Sequence, residues 1–229
     1  EKDKIYKKFI AEAVFSGICT HVALQSKIAQ DALKSQLVRA EPVLTGNLVF
    51  SEMSQKKGKK ILYAVTLKDF SNMQFYGVEM YYEFLENLVC LEKIQTTIGL
   101  PVQVQLHPSA RKAKRKLQIL FPVLNFSTKN LSNNLKSSLL TISFSSTVIE
   151  DSLYSNVPVI LFDQWERYQH CHAEKNPSAE NKAIYYVSDL KGMITAINSI
   201  KKSQNIAFSD YVIRGKSSEN FDSLIKNYL

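Results

Sequence analysis

The chain has 229 residues, 45% of them hydrophobic and 22% charged, with 7 Gly, 6 Pro and a formal net charge of +8. This composition suits one sizeable apolar core and excludes a disordered or low-complexity chain. Three widely spaced cysteines, Cys19, Cys90 and Cys171, make no disulfide framework, so a reducing compartment is expected.

The opening stretch "EKDKIYKKFIAEAVFSGI" reads as a helix and has no apolar core of signal-peptide type. "THVALQS" reads as a strand, "KIAQDALKSQL" as a helix and "EPVLTGN" as a second short extended piece. These elements are too few for an independent α/β domain. Residues 1–54 are therefore expected to be the tail of a preceding domain plus a polar, Lys-rich linker. From residue 55 to 229 the pattern changes. "KKILYAVTL" is apolar and β-rich. Val78 to Gly99 shows Tyr81, Phe84, Leu85, Leu88 and Leu91 at helical spacing, with Gly99 as a stop. "PVQVQLHP" is a strand and "SARKAKRK" a basic helix start. "LQILFP" reads as a third strand, followed by the polar helix or loop "STKNLSNNLKSS". "LLTISF", "VPVILFD" and "KAIYYVSD" are three more strands. The helix "STVIEDSLYSN" separates the first two of them, and helices capped at Asp189 and starting near Ser218 close the chain.

Strands alternating with helices imply βαβ units, hence a Rossmann-like, mostly parallel six-stranded sheet with helices on both faces. Near-continuous apolar strands such as "VPVILF" fit burial on both sides. No apolar run is long enough to span a bilayer. A cytoplasmic protein is expected, peripheral at the inner face of the cytoplasmic membrane at most.

Three basic clusters stand out: Lys56 to Lys60, Arg111 to Lys116, and Lys201-Lys202. Charge runs usually face water. As functional surfaces they would meet a nucleotide or an anionic lipid. Basic residues are not interleaved with aromatics, and no zinc-finger or RRM signature is present, so nucleic acid is not expected as a partner.

In open parallel sheets, ligands bind beyond the carboxyl ends of the strands. Ser145, Ser146 and Thr147 lie where a buried strand hands over to a helix N-terminus. Free N–H groups, the dipole and small hydroxyls there suit an anion such as a nucleotide phosphate. Plain N-capping is the competing reading, and one residue can do both. His107, followed by Pro108, ends the "VQVQL" strand and would hydrogen-bond or protonate a leaving phosphate. A structural turn histidine is the alternative. Thr66 and Lys68 follow the first strand and offer a donor and a cation. Glu150 and Asp151 open the helix behind the serines. Either favours the dipole, or accepts from a sugar hydroxyl, Asp151 being the better placed. "QHCH", from His170 with Cys171 to His172, lacks a second ligand pair at zinc spacing, so no metal is expected. The chain has no GxGxxG, no GxxxxGK[ST] and no GxSxG.

"LHP" at Leu106 to Pro108 and "SFSSTVIEDSLYSNVPVILFD" downstream resemble the C-terminal, donor-binding half of GT-B glycosyltransferases. The similarity is strongest to the bacterial sialyl-, polysialyl- and Kdo-transferases that use CMP-activated sugars. "SSTVIEDSLYSNVPVILF" is also similar to CDP-glycerol transferases of teichoic-acid synthesis. The resemblance extends from about residue 40 onward. It implies an inverting transferase of surface-polysaccharide synthesis (capsule or lipopolysaccharide) that needs no metal or other cofactor. Its partners would be a CMP-linked donor, a glycan or lipid-linked acceptor and, at its basic surface, an anionic membrane. It implies that His107 contacts the CMP phosphate and assists its departure, and that Ser145, Ser146 and Thr147 bind the same phosphate. Those families take their general base from an acidic motif in the N-terminal domain. No residue before 40 matches one, since Glu12 sits in the amphipathic "FIAEAVF". A CDP-glycerol or CDP-ribitol phosphotransferase and a non-catalytic Rossmann-like binding module are the two other readings.

Overall fold

The computed structural model describes residues 20–34, 40–48, 58–65, 73–166 and 169–228. The chain divides into two compact units. One comprises 1–54, 153–156 and 207–229, the other 55–152 and 157–206. Residues 207–229 group with the N-terminal residues.

The smaller unit contains one βαβ step. Strand β1 (His21–Leu24), helix α1 (Lys27–Lys34) and strand β2 (Glu41–Leu44) place β1 and β2 parallel and in contact. The closing segment is tied to them. Lys27 N–H donates to the Tyr211 carbonyl at 2.9 Å, and Lys27 Nζ to the Ser209 carbonyl at 2.7 Å. Arg214 donates to Asn156 Oδ1 and to the Leu153 carbonyl. These bonds join the closing segment to residues far from it along the chain. They account for the grouping of distant segments into one unit.

In the larger unit, six strands form one all-parallel sheet. They are β3 (Lys60–Ala64), β4 (Val102–Gln105), β5 (Asn125–Ser127), β6 (Ser138–Ser143), β7 (Val159–Phe162) and β8 (Ile184–Val187), in spatial order β5-β4-β3-β6-β7-β8. From β3 the chain steps outward twice to one edge. It then returns to the other side of β3 and steps outward again. This is the doubly wound order, with its reversal between β3 and β6. Nearly every residue of β3, β6 and β7 is buried, as two covered faces require.

Helix α2 (Met73–Ile98) buries Phe84, Leu88, Leu91 and Ile94 at three- and four-residue spacing. It stops where Gly99 takes φ +71°, a left-handed position that costs glycine little, with its N–H on the Gln95 carbonyl at 3.0 Å. A 3₁₀ turn (Pro108–Ala113) leads into α3 (Lys114–Leu120), and α4 (Leu131–Leu135) precedes β6. Helix α5 (Val148–Tyr154) joins β6 to β7. Helix α6 (Leu190–Lys202) follows β8 and packs on β6, β7, β8 and α2. Its N-cap is Asp189, which accepts from Gly192 N–H at 2.6 Å. Helix α7 (Ser217–Tyr228) closes the chain in the smaller unit.

The third strand differs from the sequence expectation. "LQILFP" is the end of α3 and a turn, and the strand is the three-residue β5. Only Leu117 of α3 is buried, while Ile119 and Leu120 are exposed. An apolar run that looked like a buried strand is thus a helix with a wet apolar end. At Gly58, a Cβ would lie 2.2–2.4 Å from the backbone of Ser137 and Ser138. The glycine inside the basic "KKGKK" cluster is therefore set by this close approach to the entry of β6.

Candidate functional site

Doubly wound sheets bind ligands at the carboxyl ends of the strands beside the reversal, here β3 and β6, with β4 next to β3. Ala64 pairs with Gln105 of β4, and Tyr63 pairs with Ile142 of β6. Gln105 and Ser143 therefore stand level on either side of β3. His107 and Ser145 each follow two residues later. The tips of β4 and β6 are not neighbours: β3 lies between them, so their backbones are about 10 Å apart by strand spacing. His107 and Pro108 are exposed. Pro108 opens the 3₁₀ turn, and the His107 carbonyl accepts from Ala110 N–H at 2.9 Å. Thr66 and Lys68 lie outside the described residues.

The three hydroxyl residues divide their work. Ser146 Oγ accepts from Val148 N–H at 3.3 Å and its carbonyl from Ile149 N–H at 3.0 Å, so Ser146 is the helix cap. Ser145 Oγ lies 3.2 Å from His170 Nδ1. Thr147 is exposed, and its carbonyl accepts from Asp151 N–H at 3.1 Å. Helix α5 is held to the sheet by Ser152 Oγ, 2.9 Å from Thr141 Oγ1.

The electrostatics of this entry are mixed. Helix α5 has only seven residues, with Glu150 and Asp151 in its first turn. So short a helix with two carboxyls at its start gives little positive field of its own. Glu150 is buried, which leaves Asp151, half-buried, as the carboxyl nearer to solvent. Burial, and then the Glu150 charge, push Asp151 up to about 7. Near neutral pH its carboxyl is partly protonated, which lessens repulsion of an anion.

The loop after β7 brings in what the sequence did not link to the serines. Asp163 is buried at the end of β7. Its carboxylate accepts from Trp165 N–H at 3.2 Å and shapes the turn. Gln164 Nε2 donates to Asn87 Oδ1 at 2.7 Å, and Asn87 Nδ2 donates to Tyr63 OH at 3.0 Å. This chain fastens the loop to α2 and to the end of β3. Further along the same connection, His170 stands beside Ser145. Burial, and then Glu150, push the neighbouring Cys171 thiol up to about 12. Among the described residues, no group of three or more His, Cys, Asp or Glu side chains is placed to hold a metal ion. The "QHCH" motif did single out His170, but no spacing rule joins residues 25 apart.

No protein-family model matches the chain, and no curated protein matches it. Solved structures do. The UDP-GlcNAc 2-epimerase of Methanocaldococcus jannaschii, in complex with UDP-GlcNAc and UDP, superposes with a TM-score of 0.56 at 14% identity, over 91% of this chain and 61% of that one. A second structure of this epimerase gives 0.52 at 13% identity, over 92% and 62%. The wall teichoic acid polymerase TagF gives 0.54 at 16% identity, over 91% and 57%. The chain thus spans about three-fifths of the length of the structures it matches. At these identities the likeness is one of fold. The chain carries a Rossmann-like α/β domain of the GT-B kind, with a six-stranded all-parallel sheet flanked by helices.

Proposed function

We propose that this chain is the donor-binding part of a GT-B glycosyltransferase that builds a bacterial surface polysaccharide from a CMP-activated sugar such as Kdo or sialic acid. The observation that carries the reading is the level placement of His107 and Ser145 on the two strands that flank the tip of β3. A nucleotide phosphate seated over that tip would be met from one side by an imidazole and from the other by hydroxyls and loop N–H groups. The acceptor hydroxyl attacks the anomeric carbon, the bond from that carbon to the phosphate oxygen breaks, and CMP leaves with the electron pair. His107 donates to the departing phosphate. Ser145, positioned by His170, and Thr147 bind it. Ser146 holds the loop through its cap. Such prearranged donors act where charge gathers. Thr66 and Lys68, after the first strand, and Asp151, toward a sugar hydroxyl, complete the proposed site. The base that takes the acceptor proton is not among these residues.

Incubation with CMP-Kdo or CMP-sialic acid is expected to release CMP. His107→Ala should slow release at least about 100-fold, as loss of a general acid does. Failure of every CMP and CDP ligand to bind by calorimetry would overturn the proposal.

The likeness to a teichoic acid polymerase favours a second reading, a CDP-glycerol or CDP-ribitol phosphotransferase. Competition between CDP-glycerol and CMP separates the two. A thermal-shift panel of CMP, CDP, UDP and GDP separates both from a non-catalytic module, because a ligand of the native state raises its apparent stability.

A further inference from the structure

From Lys93 to Ile149 the chain has eight basic residues and no acidic one. Five of the eight, Arg111, Lys112, Lys114, Arg115 and Lys116, are exposed on the 3₁₀ turn and on α3. Helix α3 buries Leu117 against the core. At about 3.6 residues per turn, Arg115 and Ile119 fall on the face away from Leu117, Lys116 lies beside Ile119, and Leu120 lies between Lys116 and the Leu117 side. Ile119 is 71% exposed and Leu120 63%, and Val123, in the turn that follows, is 49% exposed. Cations thus occupy the first turn of the helix, and large aliphatic side chains its last turn and the bend beyond.

We propose that this edge of the sheet docks on an anionic bilayer. Ile119, Leu120 and Val123 enter the boundary between headgroups and acyl chains, and Arg111, Lys112, Lys114, Arg115 and Lys116 bind the lipid phosphates. Both halves of the patch select this occupant. A soluble polyanion would pair the cations and leave three aliphatic side chains in water. An apolar protein face would cover the aliphatics and meet uncompensated cations. An anionic bilayer supplies both chemistries at the right depths, because the cations stand about one helical turn, roughly 5 Å, above the apolar end.

The docking stands independently of the donor reading. Combined with that reading, it constrains the acceptor. Helix α3 runs back from the tip of β4 to the start of β5. Its apolar end is therefore at the amino-terminal end of the sheet, opposite the strand tips. The six residues of β6 span about 20 Å. His107 and Ser145 would stand at least that far above the lipid. The acceptor would be the outer end of a lipid-anchored glycan or polymer and not the first sugar on the lipid.

The test is flotation of the full chain with vesicles of phosphatidylcholine alone and with vesicles containing about one-third phosphatidylglycerol. Wild type is expected to float with the anionic vesicles only. Ile119→Ser/Leu120→Ser/Val123→Ser and Lys114→Gln/Arg115→Gln/Lys116→Gln should each lose at least tenfold in partitioning. All six positions are exposed, so the variants should fold. Their circular dichroism and their response to CMP should match wild type, which separates failure of docking from failure of the donor site. An Ile119→Trp reporter should shift its emission to the blue on anionic vesicles. Undiminished flotation of both triple variants would overturn the proposal. So would binding to polyphosphate without vesicle binding, or self-association abolished by the aliphatic triple variant without vesicle binding.

Discussion

Asp151 gives a sharp test of how the helix entry is built. Its carboxyl is raised from an ordinary 3.8 to about 7, first by burial and second by Glu150. Between those values the folded protein keeps a proton that the unfolded chain has released. Stability therefore falls as pH rises through that window: the penalty is absent below about pH 4 and fully present above about pH 7. The displacement, at about 1.4 kcal/mol per pKa unit, sets a ceiling of about 4 kcal/mol. Partial exposure of the carboxyl discounts this to about 1–2 kcal/mol. Asp151→Asn removes the titration and keeps the shape. Urea unfolding at pH 4, 5, 6, 7 and 8 should show wild type losing about 1–2 kcal/mol relative to the variant across the series. Parallel curves, or wild type gaining on the variant as pH rises, would refute a desolvated carboxyl at this position.

Gly58→Ala should be costly, about 2–4 kcal/mol, because its Cβ meets the Ser137–Ser138 backbone at 2.2–2.4 Å and backbone cannot rotate away. Gly99→Ala meets no atom within 4 Å but keeps φ +71°, so about 1 kcal/mol is expected by the same chemical denaturation. Leu88→Ala, at a fully buried position on α2, should lose about 2–5 kcal/mol in the same assay. The Cys171 thiol, pushed up to about 12 by burial and Glu150, should react with a disulfide reagent at pH 8 at least tenfold more slowly in the native protein than in urea. Equal rates would show it to be wetter than described.

Strands β3, β6, β7 and β8 were legible because burial on both faces demands near-continuous apolar runs, which a sequence displays, and β4, Val-Gln-Val-Gln, was legible from its alternation. Helix α2 was legible from its apolar spacing and its glycine stop. The third strand was not. "LQILFP" has the composition of a core strand, yet Ile119 and Leu120 stand in water. The true strand, Asn125–Ser127, lies at the sheet edge and needs few apolar residues. Composition reports what a segment is able to bury, and the neighbours decide whether it does.

At the site, Ser145, Ser146, Thr147 and His107 were readable as strand-end residues because strand limits are local. Their partition was not. Ser146 caps the helix while Ser145 meets His170, 25 residues away in sequence, and that contact is set by where the connection after β7 lies in the fold.

The sequence by itself determined the alternation of strand and helix, and hence a parallel α/β domain, since hydrophobic period and turn chemistry act over a few residues. Only the tertiary structure decided that β3 pairs with β6, that β3 separates the two candidate tips, and that the last 23 residues group with the first 54. Those outcomes come from packing between segments distant along the chain, and no local pattern encodes a neighbour that arrives about 80 residues later.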